Sequence, residues 1–598
     1  MRLSYKNNFA GYFKFYYNIV GNRLLVYLGL SIVISFLDGM GLSMFIPLLQ
    51  AVNKSGNQPS NQESLGQLHH LTDWIQSLGF DLTITTVLSI LVLTFLIKGV
   101  IKFVQLSYYA SLKMIFLKKV RYKLLNNLEN LSFSAFLKVD AGKIQNTMTN
   151  EVGRLFLTMT SYFSAAQSFA MLATYIFLAF ISNYQFAILV CLGGVLSNGI
   201  YKTLYKRTKK LSIKISEKGS SFNSFLIQAV HYFKYLKSTN QFSSYSKKLK
   251  DVIAQTEILN KRIGLNKAIA TSIKEPVIIT IVSLVILLQV NWMGATLDSI
   301  ILTLLLFYRA LTALVAVQND WQGFIENVGG IESITTVSAE MEGERETIGS
   351  VHPGQLKDQV LFDNVSFSYG SKKALDGVTI SLPYKQTIAL VGESGSGKTT
   401  IANMIAGLLL PDEGTVSFDG IPFKSLNLNQ YRNKIGYISQ ESVIFNDSIY
   451  NNITFWAEPT SQNLHRFNKV LEMASLKGFI QSLPDKEKTQ LGDNGILISG
   501  GQKQRISIAR ELYKECEILI FDEATSALDS ETERVIQENI EKLQGSYTMV
   551  LIAHRLSTIK GADVIYLLEN GKLSASGSFE EMMSSSTRFK RMVSLQSV

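Results

Sequence analysis

The sequence predicts a chain of two parts: an α-helical transmembrane domain of six helices, followed by an α/β domain built around a phosphate-binding loop. Three observations lead to this prediction. The chain has 598 residues, which is more than one ordinary domain. Its apolar residues are concentrated before residue 320, and its mean hydropathy of +0.16 is high for a soluble protein. A glycine-rich run from Gly392 to Thr400 follows in the more polar second part.

Six apolar runs are predicted to be membrane helices, because most of them reach the roughly 20 residues that a bilayer requires. They are 24–49, 85–107, 155–181, 184–201, 276–292 and 297–317. Pro276 begins the fifth run. We expect it to kink a longer helix rather than end it, since neighbouring helices tolerate proline in a packed span. Lys274 and Glu275 are then placed in the cytoplasmic part of that helix.

The distribution of basic residues orients these helices. Lysine and arginine are frequent before the first helix and in the loops after the second and the fourth, and the positive-inside rule makes these segments cytoplasmic. The residues are Arg2, Lys6, Lys14, Arg23, Lys113, Lys118, Lys119, Arg121, Lys123, Lys202, Lys206, Arg207, Lys209 and Lys210. The opposite loops at 182–185 and 289–298 contain neither residue type. Both termini are therefore expected in the cytoplasm. Basic residues near anionic lipid explain the net charge of +11, with no nucleic acid as a partner.

The N-terminal segment and the two cysteines indicate neither a secretory signal nor a disulfide. Residues 1–23 are polar, aromatic and basic, so no cleavable secretory signal is expected. Cys191 falls in a predicted membrane helix and Cys516 precedes a predicted cytosolic strand, which argues against a disulfide between them. Both are interpreted as small apolar residues of the interior.

The glycine-rich run fits the pattern G-x-x-x-x-G-K-[ST]. Its members are Gly392, Glu393, Ser394, Gly395, Ser396, Gly397, Lys398, Thr399 and Thr400. In such a loop the glycines let backbone N–H groups surround phosphates, the lysine adds positive charge and the hydroxyl is offered to Mg²⁺. An apolar strand at 388–391 precedes the loop and a helix-compatible run at 401–406 follows it, which is the required context. The run therefore predicts a nucleoside triphosphate site with Lys398 as a catalytic residue.

Two acidic residues, Asp522 and Glu523, follow the apolar run 518–521, which is typical of a buried parallel strand. Carboxylates there suit metal binding by Asp522 and polarisation of the attacking water by Glu523. A surface turn is the simpler alternative.

Ser499, Gly500, Gly501 and Gln502 open a helical stretch, and its free amides can approach another anion. Alone, such a turn is usually only a turn.

Together these residues closely resemble the ATP-binding cassette (ABC) family, and the match covers nearly the whole second part of the chain. The resemblance implies a P-loop ATPase domain with the helical subdomain of that family. It implies that Tyr369 stacks on adenine, that Gln440 senses Mg²⁺ and couples to the membrane domain, and that His554 contacts the γ-phosphate. It also implies that 526–529 form the loop that crosses between subunits. Ile498 replaces the usual leucine of the signature, an exchange that should not abolish ATP contact.

Members of this family hold each ATP between the phosphate loop of one domain and the signature of the other. A chain with one copy of each is therefore expected to pair with a second copy of itself. The six fused helices favour export over import, as does the run 489–495, although Asp493 stands where the exporter loop usually has Glu. By the same resemblance, 140–143 and 228–237 are expected at the tips of long cytoplasmic loops. The expected regions are a transmembrane domain at 1–335, a linker at 336–358 and a nucleotide-binding domain at 359–598.

The transported molecule is harder to infer. Asp38, Lys98 and Arg309 lie within predicted membrane helices, where ionisable residues are costly and either face a cavity or pair with one another. A cationic substrate cavity would suit a phosphate-bearing lipid, and a structural ion pair of Asp38 is the alternative. The outer segment 65–78 has one apolar helical face, which indicates a helix on the membrane surface or one packed on the protein. This segment and the first helix resemble the lipid-linked oligosaccharide flippases.

We therefore expect a homodimeric, ATP-driven exporter or flippase in the cytoplasmic (inner) membrane of a bacterium, with ATP and Mg²⁺ as cofactors. A lipid-linked oligosaccharide or another lipid is the expected substrate class, and a peptide or drug exporter is the alternative. An ATP-gated channel is the alternative from another class. Because Glu523 is intact, the sequence favours turnover over gating.

Overall fold

The computed structural model of the protein describes the chain except for residues 1–2, 4, 46, 49–82, 183, 294–296, 524–529, 553–558 and 597–598. The chain forms two compact units. One comprises Met1–Leu131 and Ala135–Arg345, and the other comprises Ser132–Ser134 and Glu346–Val598. The first is helical and the second contains both sheets, which confirms the predicted fold class.

The described residues of the first part are almost entirely helical. The bounds of the helices are Phe9–Val20 (α1), Arg23–Ser43 (α2), Ile84–Glu129 (α3), Phe133–Phe136 (α4), Ala141–Asn146 (α5), Val152–Ser182 (α6), Tyr184–His231 (α7), Phe233–Ser238 (α8), Phe242–Met293 (α9), Leu297–Asn327 (α10) and Gly329–Gly343 (α11), with a π-helical turn at Thr147–Glu151 between α5 and α6. Each of the six predicted membrane segments overlaps one of the helices α2, α3, α6, α7, α9 and α10.

Length and composition support part of the membrane assignment directly. Within the described residues, three stretches are long and apolar enough to cross a membrane: Arg23–Ser43, Ile84–Glu129 and Ala141–Ile181. The count of six spans stays a prediction. The outer segment 65–78 lies outside the described residues.

Three of these helices are much longer than a bilayer requires. Helices α3, α7 and α9 have 46, 48 and 52 residues, and about 30 Å of hydrocarbon needs only about 20. Pro276 lies inside α9 and does not end it, as the sequence predicts. The short helices α5 and α8 fall within or beside the segments expected at the loop tips. Residues 336–343 of the expected linker lie in α11.

Helix α1 comes before the first predicted membrane segment and is not among the predicted elements. It begins after Asn8, whose side chain accepts a hydrogen bond from the N–H of Gly11 at 2.7 Å. Aromatic residues at helical spacing give it one buried face, which includes Tyr12 and Tyr16. The Tyr16 hydroxyl donates to Oγ1 of Thr158 at 2.9 Å, so this first helix is packed against α6.

The second unit has ten strands and nine α-helices among its described residues. The strands are Gln359–Tyr369 (β1), Lys372–Pro383 (β2), Thr387–Gly392 (β3), Glu413–Phe418 (β4), Ile421–Pro422 (β5), Ile435–Ile438 (β6), Ile518–Asp522 (β7), Thr548–Ile552 (β8), Val564–Glu569 (β9) and Lys572–Gly577 (β10). The helices are Lys398–Ile405 (α12), Leu428–Arg432 (α13), Ile449–Thr454 (α14), Ser461–Met473 (α15), Lys477–Ser482 (α16), Gly500–Tyr513 (α17), Ser530–Leu543 (α18), Phe579–Ser585 (α19) and Thr587–Gln596 (α20).

These strands form two sheets. One is antiparallel with the order β2-β1-β4-β5, and the other has the order β10-β9-β3-β8-β7-β6. Strands β9, β3, β8, β7 and β6 are parallel to their neighbours in this row. The larger sheet separates two hydrophobic cores: Ile518 and Ile520 of β7 point into one, and Leu519 and Phe521 point into the other. The carboxyl ends of β3, β8 and β7 therefore meet at one edge, where open α/β sheets bind ligands.

Candidate active site

The loop between β3 and α12 has a backbone that only glycine adopts easily. Gly392, Gly395 and Gly397 have φ values of 147°, 82° and 108°. A Cβ atom on Gly392 would lie 2.3 Å from the carbonyl oxygen of Leu568, so the turn also needs the missing side chain. Gly397 has no side chain that could cap α12. The N–H groups of the first turn of this helix are thus left for an anion.

Lys398 is folded under this loop. Its Nζ donates to the carbonyl oxygens of Gly392 at 2.8 Å and Glu393 at 2.9 Å, and the residue is 5% exposed. Burial lowers the pKa of Lys398, while the carboxylates of Glu523 and Asp522 oppose that shift. The lysine therefore bonds to the backbone of the phosphate loop and lies near enough to the acidic pair to interact with it electrostatically.

Ser396 supplies a direct test of whether the loop fits a phosphate. Its hydroxyl is buried inside the loop and has no hydrogen-bond partner in the described structure. Buried polar atoms are nearly always paired in native proteins, so such an atom calls for a ligand. Glu393, Ser394, Gly395 and Thr399 are exposed around it, whereas Thr400 is buried. A triphosphate oxygen is the acceptor that this donor set fits.

The acidic pair stands at the end of β7. Tyr437 of β6 donates its hydroxyl to Oδ2 of Asp522 at 2.8 Å. Burial raises the pKa of Asp522 and Glu523 adds to the rise, while the bond from Tyr437 and the charge of Lys398 oppose it. Glu523 has a φ of 50°, and its N–H donates to the carbonyl oxygen of Ile552 at 3.0 Å. That backbone turns the Glu523 side chain away from the strand, towards Gln440, whose Nε2 donates to Oε2 of Glu523 at 2.7 Å.

The oxygen atoms near the loop suit Mg²⁺ that is bound partly by protein and partly by phosphates and waters. They do not suit a metal that is held by protein side chains alone. Within the described residues, no three His, Cys, Asp or Glu side chains are grouped to hold a metal. Mg²⁺ is usually bound through one or two carboxylates together with phosphates and waters. Asp522, the hydroxyl of Thr399 and the amide of Gln440 provide oxygen ligands of this kind, so the residues present fit the ion.

Other predicted site residues are more dispersed. Tyr369 ends β1, is 41% exposed and contacts Phe367 edge-on with ring centroids 4.9 Å apart. Glu393 forms an ion pair at 2.7 Å with Arg588 of α20, which also lies 2.9 Å from Glu569. The contacts of Tyr437 and Arg588 could not be predicted from the sequence, because both arise from strand and helix packing rather than from a local pattern.

The signature residues begin α17. Ser499 caps this helix: its Oγ accepts from the N–H of Gln502 at 3.3 Å, and its own N–H donates to Oε1 of Gln502 at 2.8 Å. Both Ser499 and Gly500 are exposed. Across the described part of the unit, no hydrogen bond or ion pair joins these residues to the phosphate loop of the same chain. His554 and the loop 526–529 lie outside the described residues.

A second group of predicted residues lies in the membrane helices. Asp38 is 8% exposed and forms an ion pair with Lys98, and Tyr175 donates its hydroxyl to the same carboxylate. Arg309 is exposed and is close enough to interact electrostatically with Lys98 and Tyr175. An ion pair therefore joins Asp38 and Lys98, and Arg309 lies near enough to Lys98 to interact with it electrostatically.

Comparison with known proteins identifies the class of this molecule. Residues 375–526 match the family described as ABC transporter. Over 483 residues the chain is 30% identical to the heterocyst differentiation ATP-binding protein HepA of Nostoc sp., covering 80% of this chain and 78% of that protein. The chain belongs to the ABC transporter family. As an exporter-type half-transporter, it carries one helical membrane part and one ATPase part. Its ATPase binds and hydrolyses ATP, and this hydrolysis drives export or flipping.

Two further similarities are informative about this ABC transporter. An ATP-dependent lipid A-core flippase of Cupriavidus pinatubonensis is 29% identical to this chain. The alignment covers 82% of this chain and 84% of that protein. The structure of a bacterial Atm1-family ABC exporter with ATP bound superposes with a TM-score of 0.81 at 20% identity, over 97% of this chain and 100% of that one. The latter likeness shows the fold. With apolar helices in its first part, this transporter is a multi-pass membrane protein.

Proposed function

We propose that this half-transporter acts as a homodimer in the cytoplasmic (inner) membrane of a bacterium and flips a phosphate-bearing lipid, such as a lipid-linked oligosaccharide. The observation that carries the choice of substrate is the cluster of Asp38, Lys98 and Arg309. The proposed regions are a membrane domain at 1–335, a linker at 336–358 and a nucleotide-binding domain at 359–598, with both termini in the cytoplasm.

The proposal assigns the triphosphate to the loop at 392–400. Backbone N–H groups at the start of α12 bind phosphate oxygens, and the Ser396 hydroxyl donates to one of them. Lys398 neutralises charge on the β- and γ-phosphates. The exposed ring of Tyr369 stacks on adenine, which agrees with its position at the end of β1.

Hydrolysis needs a positioned water and a place for its proton. Glu523 accepts the proton as the water oxygen bonds to the γ-phosphorus and the bond from that phosphorus to the β-phosphate oxygen breaks. Gln440 holds the Glu523 carboxylate in place, and His554 contacts the γ-phosphate. Thr399, Gln440 and Asp522 would hold Mg²⁺, which when bound neutralises charge on the phosphate oxygens.

Two copies are proposed because one chain supplies only half of each closed site. The signature residues Ser499, Gly500, Gly501 and Gln502 stand at an exposed helix start. In the proposal they bind the γ-phosphate that is held by the phosphate loop of the second copy. Ile496 and Leu497 just before them are 78% and 70% exposed, which is consistent with a surface that a second chain covers.

A phosphate-bearing lipid is proposed because the charges of Asp38, Lys98 and Arg309 do not cancel. Asp38 is paired with Lys98 and also accepts from Tyr175, which leaves the positive charge of Arg309 exposed beside the pair. An exposed guanidinium at membrane depth is costly unless it meets an anion, and it matches phosphate geometry well. Several relatives are named lipid A-core flippases, which supports a lipid substrate.

The experiment is ATPase activity of the chain reconstituted in lipid vesicles. It is titrated with a polyprenyl-diphosphate-linked sugar and, in parallel, with amphiphilic peptides and drugs. Saturable stimulation by the lipid-linked sugar, lost in Arg309→Gln and kept in the matched cytosolic variant Arg262→Gln, would support the proposal. Arg262 is an exposed residue of the long helix α9.

The other outcomes count against the proposed substrate. Stimulation by peptides or drugs alone would make the protein an efflux or peptide exporter. Ion current down a gradient with ATP bound but not hydrolysed would make it a gated channel. A flippase instead needs turnover, so lipid translocation must stop when hydrolysis stops.

A further inference from the structure

A cavity of about 570 Å³ opens on the helical unit between α1, α2, α6 and α10. Its wall is almost wholly apolar. The residues that matter here are Phe9, Phe13, Leu28, Ala166, Phe169 and Trp321. The volume is in the range of sites for small organic ligands, so the cavity is large enough for a flexible hydrocarbon chain.

With the N-terminus in the cytoplasm, as proposed above, the place of this cavity in the chain puts it at the cytoplasmic boundary of the membrane. Helix α1 ends at Val20 and the membrane helix α2 begins at Arg23, so the two walls formed by α1 and α2 meet where the chain enters the bilayer. Trp321 and Tyr162 supply the amphipathic rings that are enriched at this depth. Phe9 and Phe169, which line the opening, are 56% and 63% exposed.

The segment that carries α1, one wall of the cavity, is basic in sequence. Residues 1–37 contain Arg2, Lys6, Lys14 and Arg23 and no acidic residue. Lys14 is exposed and follows Phe13 of the wall. From α7, the amine of Lys209 donates to Oδ1 of Asn7 at 2.6 Å, which brings a further cation to the start of α1. Basic residues at this depth attract the anionic head groups of the cytoplasmic leaflet.

We infer that this cavity binds one acyl chain of an anionic phospholipid, with its phosphate held by Lys14 and Lys209. The apolar wall accommodates the chain, and the basic residues at and near the start of α1 select the head group. This lipid is a resident of the first helices and is separate from the transported molecule, because the charged cluster at Asp38 is built from other residues. The inference therefore does not depend on the substrate proposed above.

The test measures lipid retained by the folded dimer in detergent. The purified chain is stripped of lipid and titrated with phosphatidylglycerol or phosphatidylcholine, and bound lipid is counted by native mass spectrometry. We expect about one phosphatidylglycerol per protomer, as for a single cavity of this size. Phosphatidylcholine should bind more weakly, and Lys14→Gln with Lys209→Gln should remove that preference.

Two variants on α6 separate the cavity from the general membrane surface. Ala166→Phe fills the cavity and should weaken phosphatidylglycerol retention about tenfold, because an overfilled site excludes the chain. Ala173→Phe adds the same ring at an exposed position two turns along the same helix and should retain lipid like the parent. Equal retention by parent and Ala166→Phe would overturn the inference.

A second readout does not depend on how well Ala166→Phe folds. In a variant with Trp74, Trp292 and Trp456 changed to Phe, Trp321 alone reports. Phosphatidylglycerol with brominated acyl chains should quench its fluorescence at low, saturating lipid. Absence of saturable quenching would overturn the inference, because the cavity would then be empty or covered by a second copy of the chain. Displacement of the lipid by inorganic phosphate alone would show a phosphate site instead.

Discussion

Gln440 donates a hydrogen bond from its side-chain Nε2 to Oε2 of Glu523 over 2.7 Å, although the two residues are 83 positions apart. The contact depends on the left-handed backbone of Glu523, whose φ is 50°. Such a conformation is uncommon outside glycine, and strained backbones of this kind persist mainly at functional sites. The strand end therefore aims its second carboxylate at the residue that is proposed to sense the metal.

The first prediction concerns that carboxylate. Glu523→Gln keeps the shape of the side chain and removes its basicity, so hydrolysis should fall by about 10²-fold or more, the contribution typical of a general base. ATP binding should persist, and closed dimers should accumulate with ATP. The measurement is steady-state phosphate release with nucleotide binding in parallel. Glu541→Gln, an exposed change on α18, is the control. Turnover of Glu523→Gln at the parent rate would remove Glu523 from its proposed role.

The second prediction concerns the cation under the phosphate loop. Lys398→Ala should weaken ATP binding by about 30-fold or more, as expected when one member of a buried charged pair is removed. Ser396→Ala should cost less, because it removes one neutral donor. Titration with a fluorescent ATP analogue measures both. Lys424→Ala, at an exposed site, should bind like the parent. An equal affinity of Lys398→Ala and parent would contradict the assignment.

The third prediction is a pH effect. The Tyr437 hydroxyl lowers the pKa of Asp522, whereas burial raises it. Tyr437→Phe removes only the lowering contact, so the pKa of Asp522 should rise further. More of the carboxyl is then protonated at a given acidic pH, and metal binding needs the ionised form. The acid limb of the kcat/KM profile should therefore move to higher pH. Tyr384→Phe, an exposed control, should leave the profile unchanged. A limb that stays in place or moves lower would contradict this reasoning.

Much of this architecture could be predicted because it is encoded locally. Apolar runs of about 20 residues identify membrane helices whatever their neighbours, and the loop at 392–400 carries its own glycines and lysine. The strand 518–521 could also be predicted, because it is buried on both faces and its sequence is therefore a continuous apolar run. In each case the physical reason acts over a short stretch of chain.

The rest depends on partners far along the chain. Helix α1 was missed although Asn8 and aromatic residues at helical spacing signal it, because its buried face has meaning only once α6 packs on it. Tyr437 reaches Asp522 only through the pairing of β6 with β7. The sequence does not decide whether Asp38 has an ion-pair partner, because this depends on how α2 is rotated relative to its neighbouring helices. The structure favours the ion pair with Lys98.

The fourth prediction uses Cys516. This thiol is 4% exposed, and burial raises its pKa from 9.0 to about 12. Because the thiolate is the nucleophile, native Cys516 should react with iodoacetamide at pH 8 at least about 100-fold more slowly than the unfolded chain. The native rate should keep rising with pH above 9, where an ordinary thiol is already ionised. Labelling in a Cys191→Ser background, followed by mass spectrometry, measures this. Rapid native labelling at pH 8 would show that the site is open.

The pair of Asp38 and Lys98 gives the fifth prediction. Lys98→Met leaves a buried carboxylate without its cation, and losing one member of a buried pair costs about 3–5 kcal/mol. Asp38→Asn in the same chain removes the stranded charge, so the double variant should be more stable than Lys98→Met alone. Thermal unfolding in lipid nanodiscs measures the single and double variants as a cycle.

The surface pair of Lys143 and Glu340 is the matched control for this cycle. Its atoms are 2.7 Å apart, but the side chains are 35% and 46% exposed, so its coupling should be below about 1 kcal/mol. A large coupling for Asp38 with Lys98 beside a small one for this pair would show that depth in the bilayer, rather than ion pairing as such, sets the cost. Additive losses in both cycles would instead mean that water reaches Asp38 and screens its charge, and the pair with Lys98 would then not be a buried one.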